Sequence, residues 1–279
     1  METVSTDRYA VMGNPIGHSK SPQIHTQFAR QTRQAINYEA LLVELGGFAA
    51  AVERFQAEAG KGLNITVPFK QQAWSLVTER SERARVAGAV NTIVFRDDGS
   101  RYADNTDGVG LVRDLRVNHN IVLQDKAVLI LGAGGAVRGV LAPLLAQRPA
   151  HLVIANRTDA KAVELAGRFR ELGNITGCGF DDLGTAPFDL VINATSASLE
   201  GQMPPLPDDV LAAQAVCYDL MYSAAATPFQ LWAQARGAAK AVDGLGMLVE
   251  QAAESFCLWR GMRPETQPVI ARLRADMST

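Results

Sequence analysis

The sequence predicts an α/β protein of two domains. Three observations carry this reading. Short apolar runs rich in β-branched residues alternate with longer segments of helical periodicity, the pattern of βα units and a largely parallel sheet. A glycine-rich turn opens a fresh βαβ unit after Lys126. The chain's 279 residues exceed the usual size of one compact domain.

Along the chain, the first strand is expected at Tyr9-Ala10-Val11-Met12, followed by helices over residues 22–33 and 47–59. A second strand is expected over 62–67, and a helix over 108–115 after the polar stretch that ends at Asp107. The second domain then runs as strand 127–131, helix 136–147, strand 151–155, helix 159–172 and strands 190–193 and 216–220. In the segment 247–260, Leu248, Gln251, Ala252, Ser255 and Phe256 fall on one helical stripe, which has to pack on something larger than itself. With the final helix it is expected to return to the first domain. That gives a discontinuous domain of residues 1–106 and 243–279 and a second of 107–242, with a cleft between them as the natural active site.

Composition narrows the function. With a formal charge of −2 and no Lys/Arg block, there is no basic surplus to neutralise a phosphate backbone, so nucleic acid is not expected as a partner. The polar start and the lack of any run of roughly 18 apolar residues predict a soluble, unexported, cytoplasmic protein with no membrane span. Cys178, Cys217 and Cys257 are widely spaced, with no C-x-x-C pair, and read as reduced thiols. His18, His25, His119 and His151 are scattered too, so no metal is expected.

Lys126-Ala-Val-Leu-Ile-Leu runs as an apolar strand into Gly132, Ala133, Gly134, Gly135 and Ala136, and a helical pattern follows at once. This is the context of a dinucleotide fingerprint. Glycines permit the tight turn and close backbone approach, and the helix N-terminus faces the pyrophosphate. The match is partial, because Val137 stands where Gly or Ala is usual. The next strand ends in Ala155-Asn156-Arg157-Thr158, where an NAD-binding fold would carry an acid for the ribose 2′-hydroxyl. Asn156, Arg157, Thr158 and Lys161 offer donors and positive charge instead, which suit a 2′-phosphate and so NADP(H). A helix start capped by Asn156 or Thr158, with Arg157 and Lys161 solvated, would use the same residues.

Asn64-Ile65-Thr66-Val67-Pro68-Phe69-Lys70 reads as a strand stopped at Pro68, the favoured first position of a helix. Lys70 then lies in a first helical turn, where a cation opposes the helix dipole by roughly 0.3–1 kcal/mol. It is either extended into solvent or held for proton transfer. In Asp104-Asn105-Thr106-Asp107-Gly108, Thr106 or Asp107 could simply cap the following helix. In Gly13-Asn14-Pro15-Ile16-Gly17-His18-Ser19-Lys20-Ser21-Pro22, hydroxyls at Ser19 and Ser21 stand at a helix start, either as a cap or as a carboxylate site.

Taken together with Ala87-Gly88-Ala89-Val90-Asn91-Thr92 and Asp243-Gly244-Leu245-Gly246-Met247-Leu248, these motifs closely resemble the shikimate dehydrogenase family, in order and from about Tyr9 to the C-terminal helix. The resemblance implies an N-terminal α/β substrate domain, a Rossmann-type NADP-binding domain, and NADPH-dependent reduction of 3-dehydroshikimate on the route to chorismate and the aromatic amino acids. It matches Lys70 and Asp107 to the family's catalytic pair and Ser19 and Ser21 to its carboxylate site. Thr66, Asn91 and Gln251 match ring-hydroxyl contacts, with Tyr222 nearby, and Leu220 and Gly244 match positions close to the nicotinamide. The assembly implied is a monomer or homodimer. A shikimate/quinate dehydrogenase and a non-catalytic NADPH-responsive protein on the same fold are the alternatives. Ser223-Ala224-Ala225-Ala226 departs from the more polar or proline-containing loop of relatives.

Overall fold

The computed structural model describes residues 6–195 and 203–278. The chain divides into two compact units, one running to Gly110 and joined by Val249–Ala271, the other formed by Leu111–Leu248 and the chain from Arg272 onward.

The first unit runs β1 (Asp7–Gly13), α1 (Ser21–Thr32), β2 (Ile36–Leu42), α2 (Phe48–Ala57), β3 (Gly60–Ile65), α3 (Lys70–Leu76), β4 (Glu79–Arg80), α4 (Glu82–Ala87), β5 (Thr92–Phe95) and β6 (Arg101–Asp104), and α5 (Asp107–Arg113) follows. Among the described residues its sheet has the order β2-β1-β3-β5-β6-β4. β1 pairs in parallel with β2 and β3, whereas β5 is antiparallel to both β3 and β6. The two-residue period of a strand sorts β1 between two layers. Ala10 and Met12 join Phe48, Phe55 and Phe69 on one face, while Tyr9 and Val11 join Ile16 and Tyr38 on the other.

On that second face His25 is fully buried, stacked on Tyr38 at 4.1 Å with Phe28, Phe256 and Trp259 around it. Burial lowers its pKa to about 3, so the folded ring stays neutral at pH values where an unfolded histidine, with a pKa near 6.5, is charged. Between those values the unfolded state binds the extra proton, and stability falls as the pH drops. Relative to pH 7, the linkage at pH 4.5 amounts to about 2.5 kcal/mol. His25→Phe should therefore shrink the stability lost between pH 7 and 4.5 by about that amount in urea unfolding. Equal losses in parent and variant would rule the buried neutral ring out as their source.

The second unit runs β7 (Ala127–Leu131), α6 (Gly135–Leu145), β8 (His151–Ala155), α7 (Asp159–Phe169), β9 (Ile175–Cys178), β10 (Phe188–Asn193), β11 (Leu211–Asp219), α8 (Pro228–Ala235) and β12 (Lys240–Val242). Among the described residues its strands are all parallel, in the order β12-β11-β10-β7-β8-β9. This is the doubly wound order of a dinucleotide-binding sheet, reversing where β7 and β10 lie side by side. The chain ends in α9 (Leu245–Arg260) and α10 (Gln267–Met277), and Arg274 of α10 grips the buried Asp243 with both terminal nitrogens, at 2.5 and 2.7 Å.

Candidate functional site

In the first unit, β3 ends at Ile65 and the chain turns through Thr66 to Phe69 before α3 begins at Lys70. Pro68 sits inside that turn behind a cis peptide bond and is not the first helical residue. The helix start falls two residues later than proline's usual place, since residues 67–69 form a turn. The turn is anchored by Phe69, fully buried and stacked on Phe48 at 5.0 Å. Lys70 is further pinned by its carbonyl, which accepts from the Val90 amide at 2.9 Å.

Asp107 opens α5, and its amide donates to Asn105 Oδ1 at 3.2 Å, so the turn is closed by Asn105 and the Asp107 carboxylate is left for other work. Oδ2 accepts from Lys70 Nζ at 2.5 Å and Oδ1 from Asn91 Nδ2 at 2.8 Å. Both side chains of the pair are largely buried, Lys70 at 20% and Asp107 at 9% exposure. The lysine is thus neither free in solvent nor compensated by its own helix; a carboxylate from 37 residues away offsets the unfavourable dipole.

Asn91 is the hub. Its Nδ2 donates to Thr106 Oγ1 at 2.9 Å and lies 3.3 Å from Gln251 Oε1, while its Oδ1 accepts from the Thr106 amide and the Thr92 hydroxyl, each at 2.9 Å. Gln251 reaches this cluster because α5 and α9 approach closely at Gly110, where a Cβ would stand 2.7 Å from that of Gln251. Any larger residue would push the helices apart. The network continues through Ser255, whose hydroxyl meets Thr92 Oγ1 at 2.8 Å and accepts from Asn64 Nδ2 at 3.0 Å, to Tyr38, whose hydroxyl donates to Asn64 Oδ1 at 2.7 Å. Burial pushes the Tyr38 phenol well above its ordinary pKa, and the Ser21 side chain opposes that shift.

Ser21 is the first residue of α1 and no side chain caps that helix; Lys20 holds the cap position. A purely capping role for Ser21 is therefore not realised. The Ser21 amide donates to Ser19 Oγ at 3.3 Å, which leaves two hydroxyls at an uncapped helix start. Thr66, half-buried, lies in the turn leading to Lys70. Lys70, Asp107, Asn91 and Gln251 are thus brought into one hydrogen-bonded cluster. Tyr38, Asn64, Thr92, Thr106 and Ser255 belong to the same network and are not among the site residues expected from sequence. The available signals are polar residues on otherwise buried strands, and Ser255 one turn after Gln251 on a largely apolar stripe.

In the second unit the expected cofactor residues collect at the carboxyl ends of the parallel strands, where such sheets bind ligands. Gly132 leaves β7 with φ +105°, a conformation natural only to glycine, and its amide donates to the carbonyl of Ala155 at the end of β8 at 2.7 Å. Gly134 caps α6 without a side-chain bond, and a Cβ at Gly134 or Gly135 would meet nothing within 4 Å. The amides at that helix start thus face an open cradle into which a pyrophosphate fits. Val137, the departure from the fingerprint, is fully buried under it and leaves the cradle clear.

Beyond β8, Asn156 donates its amide to the Thr158 carbonyl at 2.9 Å, and Thr158 occupies the cap position of α7 with no side-chain capping bond. Arg157 and Lys161 are exposed and pair with no carboxylate among the described residues. This donor set fits an NADP 2′-phosphate. Leu220 follows β11 with its amide on the Asn193 carbonyl at 2.8 Å, and Gly244 donates to Met221 at 3.0 Å, so these two positions are neighbours. Burial, with a lesser contribution from Asp243, raises the Tyr222 phenol above its ordinary pKa and keeps it a neutral hydroxyl.

Three family models match the chain: a shikimate dehydrogenase substrate binding domain over residues 11–93, shikimate / quinate 5-dehydrogenase over 116–200, and a shikimate 5′-dehydrogenase C-terminal domain over 244–274. A shikimate dehydrogenase (NADP(+)) of Alkalilimnicola ehrlichii is 62% identical over 97% of this chain and 100% of its own. Among solved structures, an Ael1 enzyme from Pseudomonas putida is 49% identical with TM-score 0.90, covering 96% of this chain and 98% of that one. A shikimate dehydrogenase in complex with NADP+ is 29% identical with TM-score 0.88, covering 98% and 96%.

Proposed function

The chain belongs to the shikimate dehydrogenase family, and from that membership and the 2.5 Å contact between Lys70 and Asp107 we propose that it reduces 3-dehydroshikimate to shikimate, reversibly, with NADPH. The contact is the observation that carries the reading. It supplies an ammonium group held by a carboxylate that also accepts from Asn91, beside Gln251, so a proton donor stands among polar groups able to bind ring oxygens.

When bound, NADPH supplies the hydride that the ketone carbon takes up. The glycine-rich turn Gly132–Ala133–Gly134–Gly135–Ala136 would hold its pyrophosphate, Asn156, Arg157, Thr158 and Lys161 its 2′-phosphate, and Leu220 and Gly244 would border its nicotinamide. Lys70 donates a proton to the ketone oxygen as negative charge grows there, and in the oxidative direction takes it from the C3 hydroxyl. Asp107 keeps Nζ aimed and bonds the neighbouring ring oxygens. Asn91, Gln251 and Thr66 bind ring hydroxyls, Ser19 and Ser21 bind the carboxylate, and Tyr222 is a further substrate-binding residue in this reading. The reaction belongs in the cytoplasm, in agreement with the free thiols of Cys178, Cys217 and Cys257. Among the described residues no helix is long and apolar enough to cross a membrane.

The test is an assay of the purified protein with shikimate or quinate against NADP+ or NAD+, following reduced cofactor. Shikimate with NADP+ should turn over fastest by a wide margin. No turnover of shikimate with either cofactor would refute the reading, and a preference for quinate would move the enzyme to the broader specificity.

Within this site, Ser19→Ala and Ser21→Ala should each raise the shikimate KM about tenfold, from the ~1.5 kcal/mol lower bound of a hydrogen bond to a charged group. kcat should change less, since a carboxylate remote from C3 is held alike in ground and transition states. Shikimate methyl ester binding the parent as well as shikimate does would show the carboxylate site to be misplaced.

A further inference from the structure

The turn that presents Asp107 inherits its shape from Asp104, the last residue of β6. Asp104 is 2% exposed, and its Oδ1 accepts from the Asn105 amide at 2.6 Å and the Ser81 hydroxyl at 2.5 Å. Asn105 then carries the constraint forward, bonding the Ala89 carbonyl at 3.1 Å through Nδ2 and receiving the Asp107 amide on Oδ1. A carboxylate this deeply buried needs a cation. Arg83 supplies it from α4, as a fork: Nε to Oδ1 at 2.7 Å and Nη2 to Oδ2 at 2.6 Å.

The same Nη2 also reaches Glu254 Oε1 of α9 at 3.0 Å. Glu254 and the fully buried Glu250 are held in turn by Arg263, each at 2.7 Å, so α9 is fastened along one stripe by its acids. The adjacent stripe carries Gln251 and Ser255, the residues of α9 that enter the Asn91 network. One guanidinium therefore sets two elements against each other: the turn that delivers Thr106 and Asp107, and the helix that delivers Gln251 and Ser255.

We propose that Arg83 is a positioning residue for the Lys70–Asp107 pair, acting by bridging Asp104 and Glu254. The inference rests on the reading of Lys70 and Asp107 as the reacting pair. Lysine at position 83 can neutralise Asp104 but lacks the planar fork that meets two oxygens of one carboxylate while touching a second.

The experiment is a double-mutant cycle in kcat for shikimate oxidation by the full chain, with thermal unfolding of each variant. Arg83→Met should lower kcat about tenfold in the parent, the scale of a small misplacement of reacting groups, and less than about threefold in an Asp107→Asn background, where there is no pair left to align. Arg83→Lys should recover most of the melting temperature and little of kcat, which also serves where Arg83→Met folds poorly. Equal factors in the two backgrounds, or recovery of kcat and melting temperature together in Arg83→Lys, would reduce Arg83 to a stabilising residue and overturn the proposal. Failure of the underlying pair would be visible separately, as near-parental kcat in Asp107→Asn alone, and would overturn it as well.

Discussion

Lys70→Ala should lower kcat by about 10²–10⁴, the usual worth of a positioned general acid or base, with a modest effect on the shikimate KM and on NADP+ affinity. The geometry makes the effect specific to chemistry. Lys70 contributes its backbone to the fold through Val90, and Phe69, not Lys70, fills the core, so truncation leaves the turn in place. Asp107→Asn should also be severe, because a neutral amide can neither hold the ammonium by charge nor keep both Lys70 and Asn91 as donors to one group. Since each residue acts through the other, the double mutant should be far less impaired than the product of the single losses. Steady-state kinetics on the two single variants and the double, with folding checked by circular dichroism, would test this. A folded Lys70→Ala protein with near-parental kcat, or losses that multiply, would end the case for a Lys70–Asp107 unit.

The strands that the sequence delimits best are β7 and β8, found at the expected residues 127–131 and 151–155. They lie inside the sheet with parallel neighbours on both sides and are buried on both faces, so they read as continuous apolar runs. Besides the short β4 and β12, four strands go unread, and they have other positions. β2 is the edge of its sheet and half exposed, β5 and β6 are four-residue strands joined by a turn at Asp97-Asp98-Gly99-Ser100, and β9 contains Gly177. β6 and β9 show neither the alternation nor the apolar density that marks a strand in isolation, whereas β2 alternates over Ile36-Asn37-Tyr38-Glu39-Ala40 and β5 holds the apolar run Ile93-Val94-Phe95, so those two are legible in principle. The antiparallel pairing of β5 with β6 follows from that hairpin, and β5 also runs antiparallel to β3 on its other side. At the site, Lys70 and Asp107 are each ambiguous locally, and only the family resemblance joins them. The Asn64–Ser255 bond spans 191 positions, and no local pattern encodes a contact at that range. Serine on an apolar stripe is legible as an anomaly, but its partner is not.

Arg157→Ala should weaken NADP+ by about 1.5–3 kcal/mol, the worth of a charge-assisted hydrogen bond, which is roughly 10- to 100-fold in Kd, and leave NAD+ nearly unchanged. The end of β8 explains why so much of the discrimination falls on one side chain. Ala155 is fully buried, and Asn156 spends its amide on the Thr158 carbonyl. No acid follows the strand directly to bond a ribose 2′-hydroxyl or repel a phosphate; the nearest, Asp159, is the first residue of α7, its Oδ1 held by the Ala160 amide at 2.6 Å. Arg157 carries its charge into solvent with no carboxylate to neutralise it among the described residues. Lys161, one turn along, is a point charge without the guanidinium's two-pronged geometry, so Lys161→Ala should have the smaller effect. Because the 2′-phosphate is remote from the reacting carbon, kcat at saturating NADP+ should stay near parental while the cofactor's KM rises with its Kd. Calorimetric titration of parent and variant with both cofactors decides the matter. If the two affinities fell together, Arg157 would be shaping the loop and not reading the phosphate.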